Sequence, residues 1–280
     1  MSIKRQDIGV LILYYCGYSR IKNLILRLKQ KPITRFVTFH DLPAEALNCF
    51  ETNLQFLKQN TNVVSIDDFM AGRLSYKKIN VVITFDDGFK SWITYAVPIL
   101  QKLVLPATFF ISAGFVGLSK DTEAIFIHSN LRIHQSYIQR TTGCLTHNDV
   151  REIAEQGFTI GGHTLSHTIL SALSDKDKLK YEIAEDKLAL EKLVGKEIKY
   201  FAYPSGAFHN PDIDIAELLR KAGYEGAVTT ISGFNNSNTN PFFLHRELTD
   251  AFMQTTIFKA RVYGNHDAIQ TLKKIFHPHK

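Results

Sequence analysis

Short apolar runs alternate along the chain with longer amphipathic stretches, an order that predicts strands and helices in turn. Thr34 to His40 is β-branched and aromatic, followed by a loop at Asp41-Leu42-Pro43 and a helical pattern over Ala46 to Gln59. Ile79 to Phe85 is apolar at nearly every position, as expected of a strand buried on both faces, and runs into Asp86-Asp87-Gly88. A helix is predicted around Thr94 to Leu103 and a strand over Ala107 to Ser112. An irregular polar stretch follows from about Gly117 to Gly143, then a helix capped by Thr146 across Asp149 to Gln156. Phe158 to Ile160 is a short strand that ends at Gly161-Gly162-His163. Ser174 opens a helix that Gly195 stops after Val194. Lys199 to Tyr203 is a strand ending in Pro204-Ser205-Gly206, and Ile213 to Ala222 is a helix stopped by Gly223. Gly226 to Thr230 and Phe242 to Leu244 read as further strands. Six or seven β/α units with short loops, and no repeat or linker between them, predict a single α/β barrel.

Composition agrees with a globular enzyme-sized domain: 280 residues, 45% hydrophobic and 21% charged. The three cysteines, Cys16, Cys49 and Cys144, are too far apart for a thiolate zinc site and odd in number, which favours a reducing compartment. Charge changes the picture at one end. The net +6 is concentrated in residues 1–35, where eight basic residues face one acid, Asp7. Ile8 to Cys16 is apolar but far shorter than the ~20 residues of a spanning helix. Bulky residues at Tyr14-Tyr15-Cys16 argue against a signal-peptide cleavage site, so the segment reads as retained. Ile21, Leu24, Ile25 and Leu28 recur at helical spacing among Lys22, Arg27, Lys29 and Lys31. That pattern suits a basic amphipathic helix on an anionic membrane surface, and equally a helix packed on the domain. Residues 1–33 are therefore set apart from a main domain at 34–280, with peripheral membrane contact expected through residues 4–31. No nucleic-acid recognition motif accompanies the basic cluster, so no nucleic-acid partner is expected.

In parallel α/β folds the reactive groups gather where strands end. Asp86 and Asp87 close a buried strand, and successive strand residues point to opposite sides. One carboxylate can therefore ligate a metal while the other takes a proton, although Asp-Gly can also merely end a strand. His163 and His167, spaced i, i+4 after two glycines, fall on one face of a helical turn. With Asp87 they form a three-ligand set that leaves positions open for water and substrate. Two imidazoles and a carboxylate suit zinc first, and also accept cobalt, nickel, manganese or iron.

Thr84-Phe85-Asp86-Asp87-Gly88, the His163-Thr164-Leu165-Ser166-His167 pair and Phe201-Ala202-Tyr203-Pro204-Ser205-Gly206, in that order at strand ends, resemble the polysaccharide deacetylases with a NodB-homology domain over roughly residues 35 to 250. The resemblance implies a distorted (β/α) barrel of about seven strands, a divalent metal on Asp87, His163 and His167, and Asp86 as general base. It implies hydrolysis of the N-acetyl group of an amino sugar, with Tyr203, Pro204 and Ser205 at the substrate and a backbone N–H near Tyr203 assisting the oxyanion. Two positions depart from the family pattern. Ala202 stands where many members carry an arginine that orients the catalytic aspartate, a role that passes to Arg246 or is absent. No Leu-x-x-His motif supplies the general acid, which leaves His245 and His40 as candidates, with His209 a further one that also reads as an ordinary loop residue.

The N-terminus shifts the expected substrate toward a polyprenyl-phosphate-linked N-acetylhexosamine of cell-envelope glycan or lipopolysaccharide modification. The expected location is then the cytoplasmic side, peripheral on the inner membrane, with a periplasmic site as the alternative. The competing readings are a surface-polysaccharide deacetylase, a non-catalytic carbohydrate- or lipid-binding module on the same fold, and hydrolysis of a non-sugar amide.

Overall fold

A computed structural model describes residues 5–18, 21, 24, 31–206 and 213–276. Lys4, Arg20, Lys22, Ile25, Arg27, Leu28 and Lys29 of the N-terminal segment, and His209, lie outside them. Eight strands form one parallel sheet: β1 Thr34–Phe39, β2 Asn62–Val63, β3 Asn80–Asp87, β4 Thr108–Ile111, β5 Thr159–Gly162, β6 Tyr200–Ala202, β7 Gly226–Val228 and β8 Glu247–Leu248. The order is β7-β6-β5-β4-β3-β1-β8, and β2 joins the lower part of β3. Leu244 bridges to Val228 of β7, so the curled seven-strand path nearly closes. The distorted barrel expected from the resemblance is what the chain forms.

The helices are α1 Arg5–Tyr15, α2 Leu47–Asn60, α3 Ile66–Met70, α4 Val97–Leu103, α5 Lys120–Ser129, α6 Gln135–Ile138, α7 His147–Glu155, α8 Lys176–Val194, α9 Ile215–Lys221, α10 Thr255–Val262 and α11 Asn265–Phe276. Thr146 caps α7 by accepting from Asp149 N–H, and Gly195 ends α8 in the left-handed conformation, both as the sequence predicts. Three expectations need correction. Gly117 to Gly143 is not irregular: Ser119 caps α5, which buries Ile127, and α6 follows. Phe242 to Leu244 is not a strand, because Asn240 accepts from Phe242 N–H and Pro241 presets a 3₁₀ turn over Pro241–Phe243. The strand comes later, at Glu247–Leu248. Finally, the chain from Thr164 to Thr168 is a turn and not part of a helix.

Period-2 alternation sorts β3 into two faces. Val81, Ile83 and Phe85 join Val37, Phe39 and Phe109 in the outer core beneath the helices. Val82 faces inward with Phe36, Phe110, Tyr200, Ala202, Val228 and Leu244, and Ile66 and Phe69 around α3 pack against this inner core. Further along β3, Thr84 and Asp86 continue the inward row, still fully buried. The inner barrel is thus apolar at one end and polar at the end where the strands stop.

Candidate active site

The two aspartates of β3 divide as alternation requires. Asp86 points into the barrel and meets Arg246, which comes from the residue before β8. Nη1 and Nη2 of Arg246 donate to the two carboxylate oxygens at 2.6 and 2.7 Å, a bidentate pair. Arg246 is fully buried, and its Nε donates to Thr229 O at 2.8 Å while Nη1 also reaches the hydroxyls of Thr38 and Thr84 at 3.2 Å. Burial pushes the Asp86 carboxyl up, but Arg246, by its charge and its hydrogen bonds, outweighs it and holds the group below the usual carboxylate range. Asp86 is therefore an anion fixed in place.

Asp87 turns the other way with φ 93°, a conformation that a non-glycine residue adopts only when its surroundings impose it. Its Oδ1 lies 3.5 Å from His163 Nε2 and 3.3 Å from His167 Nε2. The histidines converge through backbone rather than helix geometry. Thr164 and His167 have φ of 59° and 54°, and this left-handed turn brings the two rings to 5.0 Å between centroids. The expected helical turn is corrected: the i, i+4 spacing is real, but its geometry is a strained loop. The glycines before it are required by close packing. A Cβ on Gly161 would come within 2.4 Å of the Phe110 ring, and one on Gly162 within 2.8 Å of Asp186 Oδ2.

Each imidazole is held by its Nδ1: His163 against Ala202 O at 2.7 Å and His167 against Asn130 O at 2.9 Å. A carbonyl can only accept, so each Nδ1 carries its proton, and the neutral ring then presents the Nε2 lone pair toward Asp87. Two lone pairs and an anion facing one another need a positive charge among them. The pKa directions express the same demand for positive charge: a proton on Nε2 would supply it, so Asp87 raises His167 against the effect of burial, and the histidines bring Asp87 far down although burial raises it. The three ligand atoms lie within 4.8 Å of one another, and their outward partners match the supporting contacts of metal-bound histidines. The donor set fits a divalent cation.

The remaining candidates separate. His40 follows β1 directly and lies within electrostatic reach of both carboxylates. His245 does not belong to the cluster. It precedes the inward-pointing Arg246, packs against Gly233 and has its backbone N–H and C=O taken by the Asn235 side chain. Tyr203 does not offer the expected groups: its hydroxyl donates to Phe242 O at 2.9 Å, its ring stacks on Phe243, and its N–H donates to Val228 O at 3.1 Å. Pro204 is buried beside it, and Ser205 is exposed with φ 58°.

One supporting residue escaped the sequence reading. Asp186 on α8 is fully buried and accepts from His163 N–H at 2.7 Å and Ala113 N–H at 2.8 Å, tying the histidine loop to the end of β4. Burial pushes its carboxyl up to about 8, against the pull of those two donors. The available signal was an acid on the apolar stripe of Leu179, Ile183 and Leu190.

The polysaccharide deacetylase family profile matches residues 74–227, more than half of the chain. YxkH of Bacillus subtilis is 26% identical over 182 residues, 65% of this chain, and the chain spans only 56% of that relative's length. A Staphylococcus aureus poly-β-1,6-N-acetyl-D-glucosamine N-deacetylase is 25% identical over 209 residues, covering 72% of this chain and 67% of the relative. The deacetylase PplD of Streptococcus pyogenes, solved with acetate, superposes with TM-score 0.66 at 20% identity, covering 83% of this chain and 99% of its own. IcaB of Ammonifex degensii does so with TM-score 0.64 at 24% identity, covering 83% and 97%.

Proposed function

The chain belongs to the polysaccharide deacetylase family, and from that premise we propose that it is a carbohydrate N-deacetylase, hydrolysing the N-acetyl group of an amino sugar to acetate and a free amine. The observation that carries this reading is the Arg246-clamped Asp86 standing next in sequence to the Asp87, His163 and His167 cluster.

Asp87, His163 and His167 would hold the divalent ion, zinc on ligand type with cobalt, nickel, manganese or iron as alternatives. When bound, such an ion lowers the pKa of a water and polarises an amide carbonyl. Asp86 acts as general base: its anionic carboxylate takes a proton from the attacking water as the new C–O bond forms. Arg246 keeps that carboxylate ionised and aimed, and cannot itself give up a proton. Breaking the C–N bond requires protonation of the departing nitrogen, and His40 is the histidine whose position supports that role. The Ala202 departure is then balanced by Arg246, which precedes β8.

Two substrate readings have support. The S. aureus relative is named for action on a poly-N-acetylglucosamine, which favours a polymer. The exposed Ile8, Ile12 and Tyr15 of α1, with exposed Ile21 and Leu24 in the same strongly basic segment, favour a lipid-linked N-acetylhexosamine reached from a membrane surface, which we place on the cytoplasmic side. No helix among the described residues is long and apolar enough to cross a membrane. Mass spectrometry of acetate loss from soluble N-acetylglucosamine oligomers and from polyprenyl-phosphate-linked N-acetylhexosamine decides between them. Loss from the lipid-linked sugar alone supports the membrane reading, and loss from the oligomers alone supports the polymer. Acetate loss from neither, in protein that binds the metal, returns the fold to a binding module.

A further inference from the structure

Arg246 has to keep its guanidinium on Asp86 across the barrel, and the strand that follows it, β8, is short. β8 is two residues long and pairs only with β1, through Val37 and Thr38. Beside it, where β7 would have to continue, lies a cavity of about 560 Å³ lined by Thr230, Ser232, Leu248, Thr249, Arg261 and His266 among others. Among the described residues, backbone hydrogen bonding on that side reaches Arg246, whose N–H donates to Ile231 O at 3.1 Å, and does not extend to Glu247 or Leu248.

A buried ionic network grips it from the outer face instead. Glu247 follows Arg246, so its side chain points the opposite way, and it is fully buried. Arg261 of α10 donates from Nη1 to Glu247 Oε1 at 3.0 Å and to Leu248 O at 3.1 Å, one guanidinium nitrogen clasping both residues of β8. Its Nη2 donates to Asp7 Oδ1 of α1 at 2.9 Å. His266 Nδ1 lies 2.8 Å from Glu247 Oε1, and Ser232 donates to the other oxygen. Arg35 of β1 binds Asp267 through both nitrogens, at 3.1 and 2.6 Å, and Ser232 also reaches Asp267. Asp7, Glu247 and Arg261 are all at least nine-tenths buried. α1 packs against α10 and α11, and Asn265 donates to Val10 O, so Asp7 is delivered by a docked helix.

We propose that Arg261, braced by Asp7, is a positioning residue for the Arg246–Asp86 pair, and that docking of α1 is therefore a condition for full turnover. Arg261 touches neither the ligand cluster nor Asp86. It acts by holding the strand from which Arg246 reaches inward. Asp7 and Arg261 both lie outside the residues matched by the family profile, so this brace belongs to the flanks of the chain. The kinetic half of the proposal rests on the deacetylase reading, and the structural half does not.

The test uses the full chain with Asp7→Asn, Asp7→Glu, Arg261→Gln, Arg246→Gln and the Arg246→Gln/Arg261→Gln double variant. Hydrogen exchange is followed by mass spectrometry over residues 244–250 and, as reference, 80–87. Asp7→Asn and Arg261→Gln are expected to raise exchange over 244–250 by about 10-fold while β3 stays protected. Displacing a catalytic pair by a fraction of an ångström should lower kcat by about 10-fold, with KM changed less than about 2-fold. Asp7→Glu should restore most of the rate. In the Arg246→Gln background, Arg261→Gln should cost nothing further. Unchanged exchange over 244–250 in Asp7→Asn overturns the proposal whatever the substrate proves to be, as does an equal loss of kcat from Arg261→Gln in both backgrounds. Failure of the wild-type chain to release acetate from any N-acetylated sugar overturns the functional reading instead, and leaves the exchange result standing.

Discussion

The inner barrel has two ends built from the same strands. At one end Phe36 and Val82 meet over Ile66 and Phe69, side chains that need no hydrogen bond. Two residues further along, at Thr38 of β1 and Thr84 of β3, the lining turns polar; Asp86 follows two residues later and is closed by Arg246, and these groups are buried like Phe36. Burying a carboxylate and a guanidinium costs several kcal/mol per ion before their attraction is counted, so an apolar layer would serve stability at least as well. The proposed function accounts for the polar end: it presents one fixed anion beside the Asp87, His163 and His167 cluster, whose ligand atoms could hold a metal ion. Backbone strain is concentrated there: of the six non-glycine residues with positive φ among those described, Asp87, Thr164, His167 and Ser205 follow strands at that end, while Val104 ends a helix and Arg132 lies in a loop.

The largest expected difference between the two ends is in activity. Asp86→Asn removes the proposed base and should lower kcat by about 10²–10⁴-fold in acetate-release assays, with metal content unchanged. Full activity in that variant would remove Asp86 from the mechanism. Next comes stability. Arg246→Met leaves a buried carboxylate unpaired and should cost about 3–5 kcal/mol in urea unfolding, whereas the Asp86→Leu/Arg246→Met double variant should recover most of that loss and remain inactive. A double variant as unstable as the single would mean that the polar end is a stabilising device after all.

Acid gives a smaller effect with a definite sign. Because Asp86 is held below its ordinary value of 3.8, the pair contributes stability above that pH and loses it as pH falls through the ordinary value and then the depressed one. The stability gap between wild type and the Asp86→Leu/Arg246→Met variant, measured without metal, should therefore move in favour of the variant below about pH 4. A gap independent of pH from 3 to 6 would show that Asp86 is not the depressed group. Smallest of all, Val82→Ala at the apolar end should cost about 1.5–3 kcal/mol and leave kcat unchanged, which circular dichroism melts and initial rates can check.

What the sequence disclosed follows the range of the interactions involved. The strand that ends in Asp86-Asp87, the paired histidines after Gly161-Gly162, and the caps at Thr146 and Gly195 are local, and periodicity or turn chemistry exposes them. The contact between Arg246 and Asp86 joins residues 160 positions apart, and only the absence of an arginine at Ala202 hinted that one was needed elsewhere. The strand expected at Phe242 to Leu244 failed because Asn240 and Pro241 set a tight turn that an apolar run conceals. His245 and Tyr203 looked chemical from their neighbours, but strand alternation turns one away and a distant carbonyl occupies the other. Asp186 shows in the sequence only as an acid on an apolar helical stripe, and the Arg261 brace not at all, because each is an ordinary charged residue on a helix until the helix docks.

The central claim is that the Asp86–Arg246 pair and the Asp87, His163 and His167 cluster form one hydrolytic centre. Its most direct test measures bound divalent metal and acetate release together, in wild type, Asp86→Asn and His163→Ala, over a panel of soluble and lipid-linked N-acetylhexosamines. The account predicts about one ion per wild-type chain with acetate released, one ion and no appreciable acetate in Asp86→Asn, and neither in His163→Ala. Acetate release by metal-free His163→Ala at the wild-type rate would contradict it.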